Sequence, residues 1–78
     1  MKPVLYTIDG CVNCNKAKQH LIENNIPFIE KNLFTDSRAA LEVKELIGEV
    51  VTPVFINGPV IVKGSDILMI EKKGDNHE

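Results

Sequence analysis

Val4-Leu5-Tyr6-Thr7-Ile8-Asp9-Gly10-Cys11-Val12-Asn13-Cys14 is the stretch on which the reading of this chain turns. Lys2 to Thr7, with no breaker after Pro3, reads as a buried strand. Asp9-Gly10 turns the chain out of it. From Val12 to about Asn24 the apolar spacing becomes helical, with Cys14, Ala17 and Leu21 on one face. Both cysteines of the protein therefore fall at a strand-to-helix junction. Residues three apart on a helix are neighbours, which brings the two Cα atoms within the range a disulfide requires. The first turn of a helix carries unpaired N–H groups and the positive end of the dipole. A thiolate at Cys11 is stabilised there, so this thiol should be more acidic than a free cysteine, whose pKa is about 8.5. Cys14 stands one turn behind as a resolving thiol. Asp9 works against the thiolate, because a nearby carboxylate disfavours a second negative charge. Lys16 and Lys18 lie further along the helix.

Asn24-Asn25 suits a helix end, and Pro27 confirms the stop. Ile26 to Glu30 reads as a short second strand, and Asn32 to Asp36 as a connection. Asp36 or Ser37 caps a second helix through Ala39, Ala40, Leu41, Val43, Leu46 and Ile47, with Gly48 at its C′ position. Val54-Phe55-Ile56 and Val60-Ile61-Val62 flank Asn57-Gly58, a strong hairpin signal. Ser65 or Asp66 caps a third helix containing Ile67 to Ile70, with Lys72-Lys73 at the end where cations are favoured. The order is β-α-β-α-β-β-α. The first two strands, joined by a helix, should be parallel with a right-handed crossover, and the hairpin adds antiparallel strands. The expected fold is α/β, a four-stranded mixed sheet with three helices. One domain covers residues 1–73, followed by a solvated tail over 74–78.

The chain has 78 residues and a net charge of −2, which gives no long-range pull toward nucleic acid or an anionic membrane. No apolar run approaches the roughly 20 residues of a spanning helix. Met1-Lys2 leads straight into the first strand with no signal-peptide pattern, so the expected compartment is the cytoplasm. Two cysteines at this spacing in such a chain indicate redox or metal chemistry rather than a secreted disulfide framework. A structural zinc ion wants four ligands, and only His20 and His77 remain to complete a set. His20 lies about half a helical revolution from Cys11. Thiol–disulfide exchange needs an attacking thiolate, a leaving thiol and access, and Cys11 and Cys14 supply them. Cys11 attacks a substrate disulfide, Cys14 releases the reduced substrate, and another thiol re-reduces the pair. A non-catalytic regulatory latch made by the same disulfide is a competing reading.

From Val4 to about Lys72 the chain resembles the glutaredoxin-like branch of the thioredoxin fold. The resemblance rests on Leu5-Tyr6-Thr7, Cys11-Val12-Asn13-Cys14, Lys16-Ala17-Lys18, Ile26-Pro27-Phe28, Thr52-Pro53-Val54-Phe55-Ile56-Asn57-Gly58 and Gly64-Ser65-Asp66. It implies that Cys11 is the exposed nucleophile and Cys14 the resolving thiol. It also implies a cis Pro53 beside them and a Thr52 backbone that pairs with substrate like an added strand. Read from the residues alone, Thr52-Pro53 is a strand-entry proline. Ser65 and Asp66 can hold a glutathione carboxylate and amino group by that resemblance, or simply cap the helix. The family usually carries a lysine where Ile8 stands, Pro-Tyr in place of Val12-Asn13, and Gly-Gly in place of Lys63-Gly64. Val12 resembles the redoxins that serve ribonucleotide reductase, but the aromatic C-terminal signature of those proteins is not found near Lys63 to Ile67. The implied electron donor is therefore either glutathione or thioredoxin reductase with NADPH, with no tightly bound cofactor. The expected partners are disulfide-containing proteins, the expected state a monomer. The alternative implied by the family is a module in which two copies bridge an iron–sulfur cluster through Cys11.

Overall fold

The computed structural model describes residues 3–70. Strand β1 (Val4–Thr7) lies inside a sheet of order β2-β1-β3-β4, so both of its edges are paired. Strand β2 (Ile29–Asn32) pairs with it in parallel, with Thr7 opposite Asn32. Strands β3 (Val54–Asn57) and β4 (Val60–Lys63) complete the sheet antiparallel. The expected mixed sheet is present, and side-chain alternation splits its core into two layers. On one face Leu5 and its cross-strand partner Phe55 pack with Ala17 and Leu21 of helix α1 (Val12–Glu23) and with Ile67. On the other face Tyr6 and its partner Val54 pack with Leu33 and with Ala39 and Val43 of helix α2 (Ser37–Ile47). Among the described residues no helix is long and apolar enough to cross a membrane.

Helix α1 buries the Cys14, Ala17 and Leu21 stripe expected from its period. Its end is a Schellman motif. Asn25 takes a left-handed φ of 57°, its N–H donates to the Ile22 carbonyl at 3.0 Å, and the Ile26 N–H donates to the Leu21 carbonyl at 2.9 Å. This explains a difference from the sequence reading. The second strand begins at Ile29, not Ile26, and runs on through Asn32. The Ile26 N–H is spent on the helix end, Pro27 has none, and the Ile29 N–H, donating to the Pro3 carbonyl at 2.8 Å, opens the pairing. Phe28 packs against the α1 layer from outside the strand, and Ile29 is exposed.

Asp36 is the N-cap of α2, accepting from the Arg38 N–H at 3.1 Å, and Gly48 closes the helix at φ 96°. Leu41 and Leu46 of this helix are exposed rather than buried. The Tyr6 hydroxyl reaches across to donate to Glu42 Oε1 at 2.8 Å, and Lys31 Nζ meets the same oxygen at 3.1 Å. Burial, then the bond to Glu42, pushes the Tyr6 phenol up to about 12. The Tyr6 ring therefore belongs to the α2 layer and not to the cysteine face.

The hairpin turn is centred one residue later than Asn57-Gly58. Asn57 pairs with Val60, leaving Gly58-Pro59 as the loop. Gly58 at φ 61° followed by a proline gives the sign pattern of a type II′ turn. The third helix is a 3₁₀ helix over Gly64–Met69, with Lys63 at its cap position and no side-chain cap bond. Ser65 and Asp66 are not its caps. Lys63 is held in the ladder opposite Val54, and the Gly64 N–H donates to the Pro53 carbonyl at 2.8 Å, so the turn starts before either of them. Lys72-Lys73 and the expected tail lie outside the described residues, as does Lys2 of the expected first strand.

The two layers predict a contrast in stability. Leu21→Ala opens a cavity in the α1 layer and should cost about 2–5 kcal/mol. Leu46→Ala on the exposed side of α2 should stay within about 0.5 kcal/mol. Urea midpoints of the two variants measure the difference.

Candidate active site

The site is built where β1 hands the chain to α1. Gly10 makes the turn at φ 79°, a conformation open to glycine and strained for other residues. It delivers Cys11 in extended geometry to the N-cap of α1. A helix N-cap normally offers a side-chain oxygen to an unpaired N–H of the first turn. Here the acceptor is sulfur: Cys11 Sγ takes the Cys14 N–H at 3.1 Å. Cys11 is half-buried, whereas Cys14 is 2% exposed and sits on the core-facing stripe. Both are free thiols.

The environment separates the two in acidity. Partial burial pushes the Cys11 thiol up. The hydrogen bonds outweigh it: the Cys14 S–H and N–H, the Thr52 hydroxyl and the Asn13 N–H all favour the anion, and the net direction is down. Burial pushes Cys14 up, and donating its own S–H to Cys11 pushes it further. The Thr52 hydroxyl and the Ile8 N–H pull back without reversing the direction. Thr52 thus lies beside both sulfurs, and its hydroxyl can serve either. The sequence reading assigns Thr52 a backbone role only. The hydroxyl emerges once the loop before β3 is placed against α1.

Asp9 is turned aside. Asn32 Nδ2 donates to Asp9 Oδ1 at 2.7 Å, while Asn32 Oδ1 accepts the Phe34 N–H at 2.9 Å. The carboxylate expected to oppose the thiolate is tied to the end of β2, and it is not among the groups that shift Cys11. Asn32 is the site residue that sequence reasoning misses. Its partner is 23 positions away, and only the Thr7–Asn32 register brings them together. Lys18 is engaged elsewhere, 3.0 Å from Glu30. His20 Nε2 meets the Ile70 carbonyl at 2.7 Å, and among the described residues no three His, Cys, Asp or Glu side chains form a metal-ligand group. His77 lies outside those residues.

The Thr52–Pro53 peptide bond is cis, as the family resemblance implies. An open groove of about 360 Å³ lies along it. Thr52, Pro53, Ser65 and Asp66 all line it, together with Glu49, Val51, Lys63 and Gly64. The residues singled out in the sequence therefore share one surface, with Cys11 linked to it through Thr52.

Comparison with known proteins gives the lineage of this arrangement. Spx 1 of Oceanobacillus iheyensis, described as a global transcriptional regulator, is 44% identical over 43 residues, or 55% of this chain and 33% of that protein. Spx of Bacillus subtilis, described likewise, is 40% identical over 43 residues with the same shares. The chain spans about a third of the length of these curated relatives. Among solved structures, Escherichia coli NrdH-redoxin, described as a glutaredoxin-like protein with a thioredoxin-like activity profile, aligns with a TM-score of 0.77 at 26% identity. That alignment covers 88% of this chain and 90% of the other. A glutaredoxin from Brucella melitensis aligns with a TM-score of 0.71 at 28% identity, covering 96% and 83%. The glutaredoxin family model matches residues 4–61, which include both cysteines and the cis Thr52–Pro53 bond, and the chain belongs to the glutaredoxin family.

Proposed function

We propose that this protein is a dithiol–disulfide oxidoreductase that reduces protein or glutathione mixed disulfides. The observation that carries the reading is the divided character of the pair. Cys11 is half-exposed, capped by the Cys14 N–H and shifted toward thiolate, while Cys14 is buried behind it and held as thiol. Membership of the glutaredoxin family supports thiol redox chemistry at the same residues.

In the proposed cycle the Cys11 thiolate attacks one sulfur of a substrate disulfide. A Cys11–substrate disulfide forms and the other substrate sulfur leaves as a thiolate. Cys14 then loses its proton and attacks Cys11 Sγ, so the Cys11–Cys14 bond forms and the second substrate thiol leaves. Two electrons pass from the dithiol to the substrate, and the released thiolates take up protons. Glutathione, or thioredoxin reductase with NADPH, returns two electrons to the pair. The NrdH-redoxin likeness supports the second donor, and family membership supports the first. Thr52 would present backbone groups to the substrate chain, with Ser65 and Asp66 holding its polar groups across the groove.

The Spx likeness favours a second reading, a regulatory thiol latch on a partner protein. It differs in rate. An oxidoreductase exchanges disulfides much faster than a small free thiol does, and a latch need not.

Three outcomes are expected. In a disulfide-reduction assay Cys11→Ser abolishes turnover, and Cys14→Ser accumulates a mixed disulfide at Cys11, visible by intact mass. Full activity of Cys11→Ser would sink the proposal.

Asn32→Ala frees the Asp9 carboxylate two residues from Cys11. Iodoacetamide alkylation of Cys11 at pH 7 should slow about three-fold, in line with a like charge raising a thiol pKa. Adding Asp9→Asn to that variant should restore most of the rate, which a merely loosened loop would not do.

Stability of the reduced protein should bend with pH. Cys11, lowered on folding, contributes stability that is present above the unfolded thiol value of about 8.5 and lost as pH falls through its folded value. Cys14, raised on folding, contributes in full below the unfolded value and loses it as pH rises toward the folded one. Urea unfolding from pH 6 to 10 should therefore show stability rising toward about pH 8.5 and falling beyond it. Compared with wild type, Cys11→Ser removes the rising limb and Cys14→Ser the falling one.

A further inference from the structure

We infer that Phe34 is a specificity-determining residue for protein disulfides: its ring takes an apolar part of the substrate protein's surface while Cys11 holds that protein in the mixed disulfide. The inference rests on the oxidoreductase reading and adds to it a contact outside the groove at Pro53. Tyr6 and Phe55 are buried and Phe28 is half-buried, whereas Phe34 is 73% exposed. The loop that displays it is tightly held. The side chain of its neighbour Leu33 is buried, and the Leu33 N–H donates to the Thr7 carbonyl at 2.8 Å. The Phe34 N–H donates to Asn32 Oδ1 at 2.9 Å, and the Asp36 N–H to the Asn32 carbonyl at 2.9 Å. An aromatic side chain on a backbone already set in place loses little freedom when a partner covers it.

The loop is tied to the nucleophile's own turn. The Asn32 carboxamide that accepts the Phe34 N–H also donates to Asp9 at 2.7 Å, and Asp9 is two residues before Cys11. Ile8, 38% exposed, and Val12, 67% exposed, flank that turn. Three open apolar side chains thus gather at the Cys11 end of the sheet, where Thr7 and Asn32 stand opposite each other. The occupant follows from the chemistry. A substrate joined to Cys11 in the mixed disulfide lies over whatever stands next to Cys11. A small disulfide covers only the immediate neighbours of that sulfur. Even a modest protein–protein contact buries on the order of 500 Å² per partner, a footprint roughly 25 Å across, and extends over the Phe34 loop as well. Aromatic side chains at such contacts carry a large share of the affinity.

The redox step is unchanged: the Cys11 thiolate displaces one substrate sulfur, Cys14 displaces the other from Cys11, and the dithiol gives up two electrons. The test uses the full chain, pre-reduced and freed of reductant, in single turnover. Insulin serves as the protein disulfide and 2-hydroxyethyl disulfide as the small one. Samples are quenched with a maleimide, and intact mass counts the thiols that remain. Phe34→Ser keeps the backbone N–H that bonds Asn32, so the setting of Asp9 is preserved. It should lower the second-order rate constant with insulin by about five-fold or more, the loss expected for truncating a well-covered interface aromatic. Its rates with 2-hydroxyethyl disulfide and with iodoacetamide should stay at the wild-type values. Phe34→Leu should regain most of the insulin rate. Leu46→Ser, at an open leucine near the far end of α2, should change none of these rates. An equal loss with both disulfides would mean that Phe34 acts on Cys11 and not on the substrate, and would overturn the inference. So would no loss with either, or a wild-type protein that reduces only the small disulfide. A wild-type dimer that Phe34→Ser converts to a monomer in light scattering would give the patch to a second copy and overturn it too. All of these leave the oxidoreductase reading standing. No oxidation of the wild type by either disulfide would overturn that reading and the inference with it.

Discussion

A sulfur that accepts an amide N–H at the mouth of a helix is stabilised most when it is an anion, because the donor and the helix dipole both favour negative charge. In this protein that contact is the 3.1 Å bond from the Cys14 N–H to Cys11 Sγ. Much of the surrounding architecture serves to hold it. Cys14 can donate only if α1 begins at Val12, and α1 begins there because Gly10 turns the chain sharply out of β1. The helix is fixed against the sheet by Ala17 and Leu21 packing on Leu5 and Phe55. The same stripe carries Cys14, so the packing that secures the helix also buries the second sulfur. Acidity and burial of the two thiols are thus consequences of one helix register.

The loops at that end of the sheet refine the contact. Residues from the strands on either side of β1 act there, one on the turn before Cys11 and one on the sulfurs themselves. Asn32, at the end of β2, takes the Asp9 carboxylate away from Cys11. Thr52, just before β3, brings a hydroxyl to both sulfurs. Both strands are neighbours of β1 in the sheet, so the pairing that builds the fold also sets the electrostatics of the site. The α2 layer has no direct part in this. Tyr6, the aromatic nearest the motif in sequence, points into that layer and is held by Glu42.

This division explains what could be read from the sequence. Cys14, Ala17 and Leu21 were legible because a helical stripe depends on nothing outside the helix. Gly48 as the end of α2 and the strand pair around residues 57–60 were legible for the same local reason. The start of the second strand was not, because Ile26 reads as a strand residue until its N–H is seen closing α1. Ser65 and Asp66 looked like caps, but Lys63 in the ladder and the Gly64 bond to Pro53 start the turn before them. The Asp9–Asn32 bond left no local trace at all. Alternation along β1 shows which residues share a face, but not which residue of β2 stands beside Thr7. The cis bond at Pro53 was legible only through the family likeness, since a proline entering a strand is ordinarily trans.

The opposed acidities of the pair also bear on how the proposed cycle advances. A buried thiol with a raised pKa is a poor nucleophile, and Cys14 must nonetheless attack in the second step. Burial, the largest cause of its shift, stays throughout. The next causes involve Cys11: Cys14 donates its S–H to that sulfur and feels its negative charge. Once Cys11 is tied up in a mixed disulfide it bears no charge and is a weak acceptor, so both of those causes fade. The Thr52 hydroxyl and the Ile8 N–H, which favour a Cys14 anion, stay in place. Cys14 is therefore held back while Cys11 is free and released when Cys11 has reacted. In the proposed cycle the charge on Cys11 thus favours that order of the two steps.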